Sequence, residues 1–445
     1  MTPTPFLLDR ARLARWALLY AAFVVYGSLV VGPVGFHFVP EAPAAAWRQF
    51  LAVRYVPHGP DQRPDWIANL VMLIPLGFLL TGALTPARGP GRVLAAGGGF
   101  ALSFLFVLAV KYAQLFFPGR TVTINYIAAQ GIGAALGTAG LALGRDRLVA
   151  ALLRPLAGGG RGALIALLAV YAAAWVYFLL MPFDLVLSRS DILTRLAALP
   201  AIFRALPGAG RGEGMRVLLL LAGTLAPAPL GALFALIWPR RGLGFLGLAA
   251  ALASAAMWAA ELPILSATPM LAALGYRFLG IWAGAAALRA LTPARLELGR
   301  ALLARAVPLL VPLYLLALAG ANALLARHWR TVAEARAALD PLGLIPLWND
   351  YIVSKAQALK STLVHLAMYA PVGGLIWLRG GRGRGAALAA AAIAGLLSAA
   401  VEVGRWFRPG LQPDFNEIVI GALAAFLTVR VLPWAWRVLT EGLAR

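Results

Sequence analysis

The sequence predicts an all-α polytopic membrane protein, a transmembrane bundle of about twelve helices in three parallel four-helix repeats, with both termini cytoplasmic. Three observations predict it. Of the 445 residues, 61% are hydrophobic and 13% charged, with a mean hydropathy of +0.81, whereas a soluble domain carries about 25% charged residues. Apolar runs long enough to cross a bilayer, roughly 20 residues each, recur along the chain. The basic residues fall in the short gaps between those runs, as they do in cytoplasmic membrane loops.

The runs are taken in order. Arg10, Arg12 and Arg15 precede an apolar stretch from Trp16 to Pro40, which holds most of the first run, 13–33. That stretch exceeds the ~7–15 residues of a signal-peptide core, so an uncleaved first helix is expected although Ala42-Pro43-Ala44 resembles a cleavage site. The next three are 65–84, 93–116 and 122–142; then come 162–182, 215–237, 243–261 and 270–291; the last four are 306–325, 361–378, 386–405 and 414–434. Internal Gly and Pro are common in membrane helices and veto none of them. The connections 36–64, 183–214 and 326–360 are long. Within them, the stretch from Asp191 and the stretch Trp329 to Leu339 have the character of interfacial amphipathic helices or of ordinary solvated loop helices.

With the N-terminus inside, the cytoplasmic segments hold 21 basic residues against four acidic ones, and the opposite side 18 against 13. Counting Lys and Arg in short loops sets the orientation. The net charge of +22 therefore does not mark a nucleic-acid binder, which would concentrate its cations on one solvated face. There is no cysteine, hence no disulfide, thiolate nucleophile or cysteine metal site. His37, His58, His328 and His365 show no metal-ligand spacing, and no motif calls for a metal or a cofactor.

An internal repeat organises the polar residues. Asp65, Asn69, Pro75 and Gly77 share their spacing with Ser361, His365, Pro371 and Gly373. Lys111 and Gln114 correspond to Glu402 and Arg405, Phe117-Pro118-Gly119-Arg120 to Arg408-Pro409-Gly410-Leu411, and Tyr126 to Glu417. A fainter middle copy has Pro229-Leu230-Gly231 and Glu261. The expected units are 1–155, 156–300 and 301–445. Four helices per unit give all three the same orientation, unlike the inverted repeats of many transporters.

Ionisable groups in apolar helices are costly and are usually paired or functional. The expected topology puts Asp65, Asn69, Lys111, Gln114, Arg120 and Asn125 at one outward-facing rim. In the third unit that rim holds His365, Glu402, Arg405, Asp414 and Glu417. Residues at i, i+3 and i, i+4 share a helix face. Simpler roles stand beside each: an N-cap for Asp65, a kink at Pro75, snorkelling for Arg120, Arg405 and Arg408, an ion pair for Glu402–Arg405, and close packing at Gly131, Gly133 and Gly137.

At these residues the sequence resembles the VanZ-like family, whose pattern runs Asp-x3-Asn-x5-Pro-Leu-Gly, Glu-x2-Gln, then Pro-Gly-Arg-x-Pro-Asp-x2-Asp. The first unit keeps Asp65, Asn69, Pro75, Leu76, Gly77, Gln114, Pro118, Gly119 and Arg120, and departs at Lys111 and Tyr126. The third keeps Pro371, Gly373, Glu402, Pro409, Gly410, Pro413 and Asp414, has Glu417 for Asp, and departs at Ser361, His365, Arg405 and Leu411. The resemblance covers about 65–140 and 361–430. It implies an integral membrane protein of the cell envelope, in a family named for association with resistance to the glycopeptide teicoplanin, and it brings no catalytic mechanism.

The favoured reading is a non-enzymatic protein of the bacterial inner membrane whose outer patch binds a lipid-linked or anionic envelope component. Asp65, Asn69, Lys111, Gln114, Arg120, Arg405 and Arg408 are its candidate ligand-binding residues, since guanidinium matches phosphate geometry. An enzyme acting on an envelope lipid is the alternative, with His365, Glu402, Asp414 and Glu417 as candidate acids and bases. A lipid or small-molecule transporter is a third. The expected partners are membrane lipid and a lipid-linked precursor, with no nucleic acid; the pattern specifies no oligomeric state.

Overall fold

The computed structural model describes residues 9–31, 36–56, 59, 62–86, 91–148, 150–151, 160–208, 213–353 and 355–444. Among them the secondary structure is helical, apart from one antiparallel bridge between Leu185 and Ile264. A first group comprises α1 (Arg10–Leu29), a short α2 (Pro43–Leu51), α3 (Arg63–Leu84), α4 (Arg92–Gln114) and α5 (Ile124–Leu148). A second comprises α6 (Gly160–Leu180), α7 (Arg189–Arg204), α8 (Glu213–Leu225), α9 (Ala228–Ile237), α10 (Leu243–Glu261) and α11 (Leu271–Arg289). The third has α12 (Pro293–Ala321), two short helices α13 (Val332–Ala337) and α14 (Trp348–Ile352), then α15 (Lys355–Leu378), α16 (Gly383–Trp406) and α17 (Phe415–Leu443).

Eleven helical spans are long and apolar enough to cross a membrane. Helix α1, which opens on three arginines, is not among them. The expected helix 215–237 is broken at residues 226–227, next to Pro227, into α8 and α9. Helix α12 starts well before its apolar run, capped by Thr292, which accepts from the Arg295 N–H at 3.2 Å. The stretch from Asp191 does form a helix, α7, opened by a Ser188–Asp191 capping box. Outward-facing side chains are apolar: Leu94 is 82% exposed, Leu143 81% and Leu396 74%. Such a surface belongs in hydrocarbon rather than water.

Lipid supplies little hydrophobic drive between helices, so close approach through small residues decides the packing. The same approach occurs in each group. A Cβ on Gly77 of α3 would collide with the carbonyl of Ala134 in α5; on Gly231 of α9, with that of Ile281 in α11; on Gly373 of α15, with that of Ala425 in α17. These three helix pairs make the most extensive contacts of their groups, together with α16 against α17.

The long connections lie on the same side as the turns at 115–123, 262–270 and 407–414, and pair with them through the backbone. Val39 donates to the Phe116 carbonyl at 2.9 Å, Val186 to Pro263 at 2.8 Å and Arg330 to Phe407 at 2.7 Å. Gly119 and Gly410 both turn the chain at φ +79°, where a side chain would be strained. We call this the long-loop side. The groups touch one another there through Arg63 and Asp191, paired at 2.6 Å, and through the Tyr26 hydroxyl, which donates to the Pro346 carbonyl at 2.8 Å. At the opposite side the end of α17 inserts Val438 among Leu164, Leu233 and Leu236.

Candidate functional site

In the third group, α15, α16 and α17 bring His365, Glu402, Arg405, Asp414 and Glu417 to one point on the long-loop side. Glu402 and Arg405 share a face of α16 at i, i+3. Arg405 Nη1 lies 3.0 Å from Glu402 Oε1 and 2.6 Å from Glu417 Oε2, and His365 Nε2 lies 2.9 Å from the same Glu417 oxygen. The Asp414 N–H donates to Glu402 Oε2 at 2.7 Å, and Asp414 caps α17 by accepting from the Asn416 N–H at 2.8 Å. Asn416 reaches outward, donating to Asp350 at 2.9 Å and accepting from the Leu347 N–H at 2.9 Å. Burial, reinforced by Asp414, lifts the Asp350 carboxyl above the ordinary carboxylate range, and burial likewise lifts Asp414.

Four carboxyl groups here face one guanidinium and one imidazole, so the cluster is not built for an anion. Nor is it arranged as a nucleophile and base. His365 Nδ1 is 2.8 Å from the Ser361 carbonyl and Nε2 faces Glu417. Both nitrogens thus face acceptors, leaving no lone pair for the Ser361 hydroxyl at 3.3 Å.

The first group is of opposite character. Lys111 is buried, donates to Gln114 Oε1 at 3.0 Å and sits 5.5 Å above the Tyr126 ring. Gln114 in turn donates to the Ser28 carbonyl at 3.1 Å. Arg120 is an electrostatic neighbour of Lys111. Its Nη1 donates to the Val31 carbonyl, while Nη2 is buried with no hydrogen-bond partner among the described residues. Neither cation forms an ion pair within 4.0 Å among those residues. Asn69 donates to the Asp65 carbonyl at 2.8 Å and accepts from Gln130 at 2.7 Å. Asp65 itself is exposed, close enough to Tyr126 to act on its hydroxyl.

In the middle group Glu261 pairs with Arg277. Arg195 of α7 lies over them, donating to the carbonyls of Glu261, Leu262, Leu265 and Ala267 at 2.8–3.3 Å. Arg408 is likewise held by backbone, donating to the Ala326 and His328 carbonyls and lying 5.5 Å from the Trp329 ring. Tyr351 of α14 lies within electrostatic reach of Arg120, which brings the third group close to the first-group set.

Sequence reasoning passed over Gln130, Arg195, Arg277, Asp350 and Asn416. Two carried a signal. Gln130 interrupts an apolar run, and Asn416 stands at the position of Asn125, whose amide bonds both ways with Val56, at 2.8 and 2.6 Å.

The fold and these rims define a polytopic helical membrane protein whose polar residues gather at one side of the bundle. Residues 16–145 match the family model described as VanZ/LLP1, so the chain is an integral membrane protein with a VanZ-like domain that spans α1 to α5. No curated protein and no solved structure matches the chain.

Proposed function

We propose that the protein resides in the bacterial inner membrane with its long-loop side outward, and that the VanZ-like domain binds an anionic, lipid-linked component of the cell envelope there. The carrying observation is the Lys111–Arg120 pair: a buried lysine beside a half-buried arginine, neither with a carboxylate partner among the described residues, and one buried guanidinium nitrogen without a partner there. An anion completes such a site, since buried charges require compensation and guanidinium binds phosphate oxygens in a planar fork. Gln114 and Tyr126 hold Lys111 in place, and Asn69 and Gln130 brace the adjoining helices α3 and α5. Arg405 and Arg408 have carboxylate and carbonyl partners and take a structural part. The shared glycine approach supports three units, 1–155, 156–300 and 301–445, of which the middle one is closed by Arg195.

The test is titration of the purified protein in detergent with inorganic pyrophosphate. The Lys111→Gln, Arg120→Gln double variant is expected to bind at least tenfold more weakly, and Arg405→Gln to match wild type. Equal affinity of the double variant and wild type defeats the proposal.

A further inference from the structure

At the same rim, between the first and second helix groups, lies a cavity of about 570 Å³ lined by Tyr55, Arg63, Trp66, Ile67, Leu185 and Leu187. Its size falls in the roughly 300–1,000 Å³ range of ligand cavities. Arg63, Asn125 and Ser188 at its wall already have partners. Arg63 donates to Asp191 and to the Leu185 carbonyl, both at 2.6 Å, and the Asn125 amide is taken up by Val56. What remains facing the space is aromatic and aliphatic, and a cavity whose polar groups are satisfied has little hold on water.

Its place matters more than its size. Asn125 lines the cavity, while the next residue, Tyr126, carries its ring beneath Lys111. Trp66 lines the cavity, while the preceding Asp65 acts on Tyr126. The first turns of α5 and α3 thus join the apolar cavity, through Asn125 and Trp66, to the surroundings of Lys111, through Tyr126 and Asp65.

We infer that the ligand is an anionic lipid, a phosphate ester carrying a long hydrocarbon chain, with its phosphate at Lys111 and Arg120 and the part of its chain nearest the phosphate in this cavity. This rests on the anion-binding reading above and adds a second subsite to it. The segment 185–188 of the second group forms the far wall, so the Arg63–Asp191 pair holds the chain site closed from that side.

The experiment fills the cavity without touching a cation. Ala128 lines it and is otherwise exposed, and Leu187 on the opposite wall is 68% exposed, so Ala128→Trp and Leu187→Trp occupy the space from two directions. Wild type, each Trp variant and the Lys111→Gln, Arg120→Gln variant are reconstituted in turn with phosphatidylglycerol, a C55 polyprenyl phosphate and phosphatidylcholine. Retained lipid is then read by native mass spectrometry, with inorganic pyrophosphate titrated in parallel. Wild type is expected to retain one anionic lipid and not phosphatidylcholine, and the anionic lipid retained names the source. The Trp variants are expected to lose at least tenfold of that retention with unchanged pyrophosphate affinity, and the charge variant to lose both. Undiminished retention in both Trp variants overturns the chain site, while the anion site stands if the charge variant still fails. Wild type that retains neither anionic lipid, or Trp variants that lose pyrophosphate as well, also overturn it.

Discussion

Lys111 and Glu402 stand at equivalent ends of α4 and α16, yet their surroundings solve the problem of a buried charge in opposite ways. Glu402 is matched by Arg405 and by the Asp414 N–H, with Glu417 and His365 completing the set. Lys111 has an amide oxygen and an aromatic face. Removing one partner from a buried pair leaves an uncompensated charge and costs about 3–5 kcal/mol, whereas removing a charge that had no partner relieves its desolvation penalty. Glu417→Gln is therefore expected to lower the melting temperature of the detergent-solubilised protein, and Lys111→Met to raise it by about 1–3 °C while abolishing anion binding. Shifts of the same sign contradict this assignment. The third-group cluster was legible in the sequence because its five residues recur at helical spacing from a shared landmark, the Pro-x-Gly of the preceding helix. Arg408 was not, because spacing fixes depth along a helix axis but not the loop that folds over it. Its guanidinium meets the carbonyls of residues some eighty positions away.

At the scale of elements, the packing of α3 on α5, α9 on α11 and α15 on α17 depends on backbone approaching backbone. Gly77→Ile, Gly231→Ile and Gly373→Ile each place carbon atoms where a carbonyl already lies. Overpacking of this kind costs about 1–3 kcal/mol or more, and here the obstacle is rigid backbone rather than a flexible side chain. Each variant is expected to unfold at lower temperature and to be cleaved faster by protease, whereas Gly244→Ile, at a position open to lipid, is expected to be neutral. The helices themselves were readable from hydropathy. The break between α8 and α9 was not, since Pro227 sits inside an unbroken apolar run. Helix α7 was readable only as an amphipathic stretch: nothing local in Asp191 or Arg195 indicates Arg63 or the end of α10, which supply their partners from other parts of the chain.

The contact between the first and second groups is electrostatic at the long-loop side and so depends on pH. The N–H groups of Ser188 and Leu187 together with the Arg63 guanidinium hold the Asp191 carboxyl well below the usual carboxylate range. A group depressed in the folded state stabilises it fully above its unfolded value, about 3.9, and ceases to do so as pH falls through the folded one. The distance between spin labels placed on cysteines at Tyr55 and Leu187, which line opposite walls of the cavity, is expected to be constant from pH 8 to about pH 5 and to lengthen progressively below about pH 4. In an Asp191→Asn background it should be longer throughout and independent of pH. An Asp191→Asn distance equal to that of wild type at neutral pH rules out this ion pair as the clasp between the groups.

For the whole molecule the decisive question is which positions share a side of the bilayer. The chain has no cysteine, so single cysteines report without background. Thr121, Thr268 and Pro409 are exposed in the three short turns of the long-loop side, while Arg241 and Arg379, in connections, and Arg295, in the first turn of α12, are exposed at the other end of the helices. Those six positions lie far apart in sequence and in different helix groups, so agreement within each set is a demanding requirement. With the Arg-rich short loops inside, a membrane-impermeant maleimide applied to intact spheroplasts is expected to label Thr121→Cys, Thr268→Cys and Pro409→Cys, and to reach the other three only after the membrane is broken. Reversal of both sets would keep the fold but place the Lys111–Arg120 pair in the cytoplasm, where no outer-leaflet lipid reaches it. A split within either set would mean that the three groups do not run parallel, and the common rim would no longer exist.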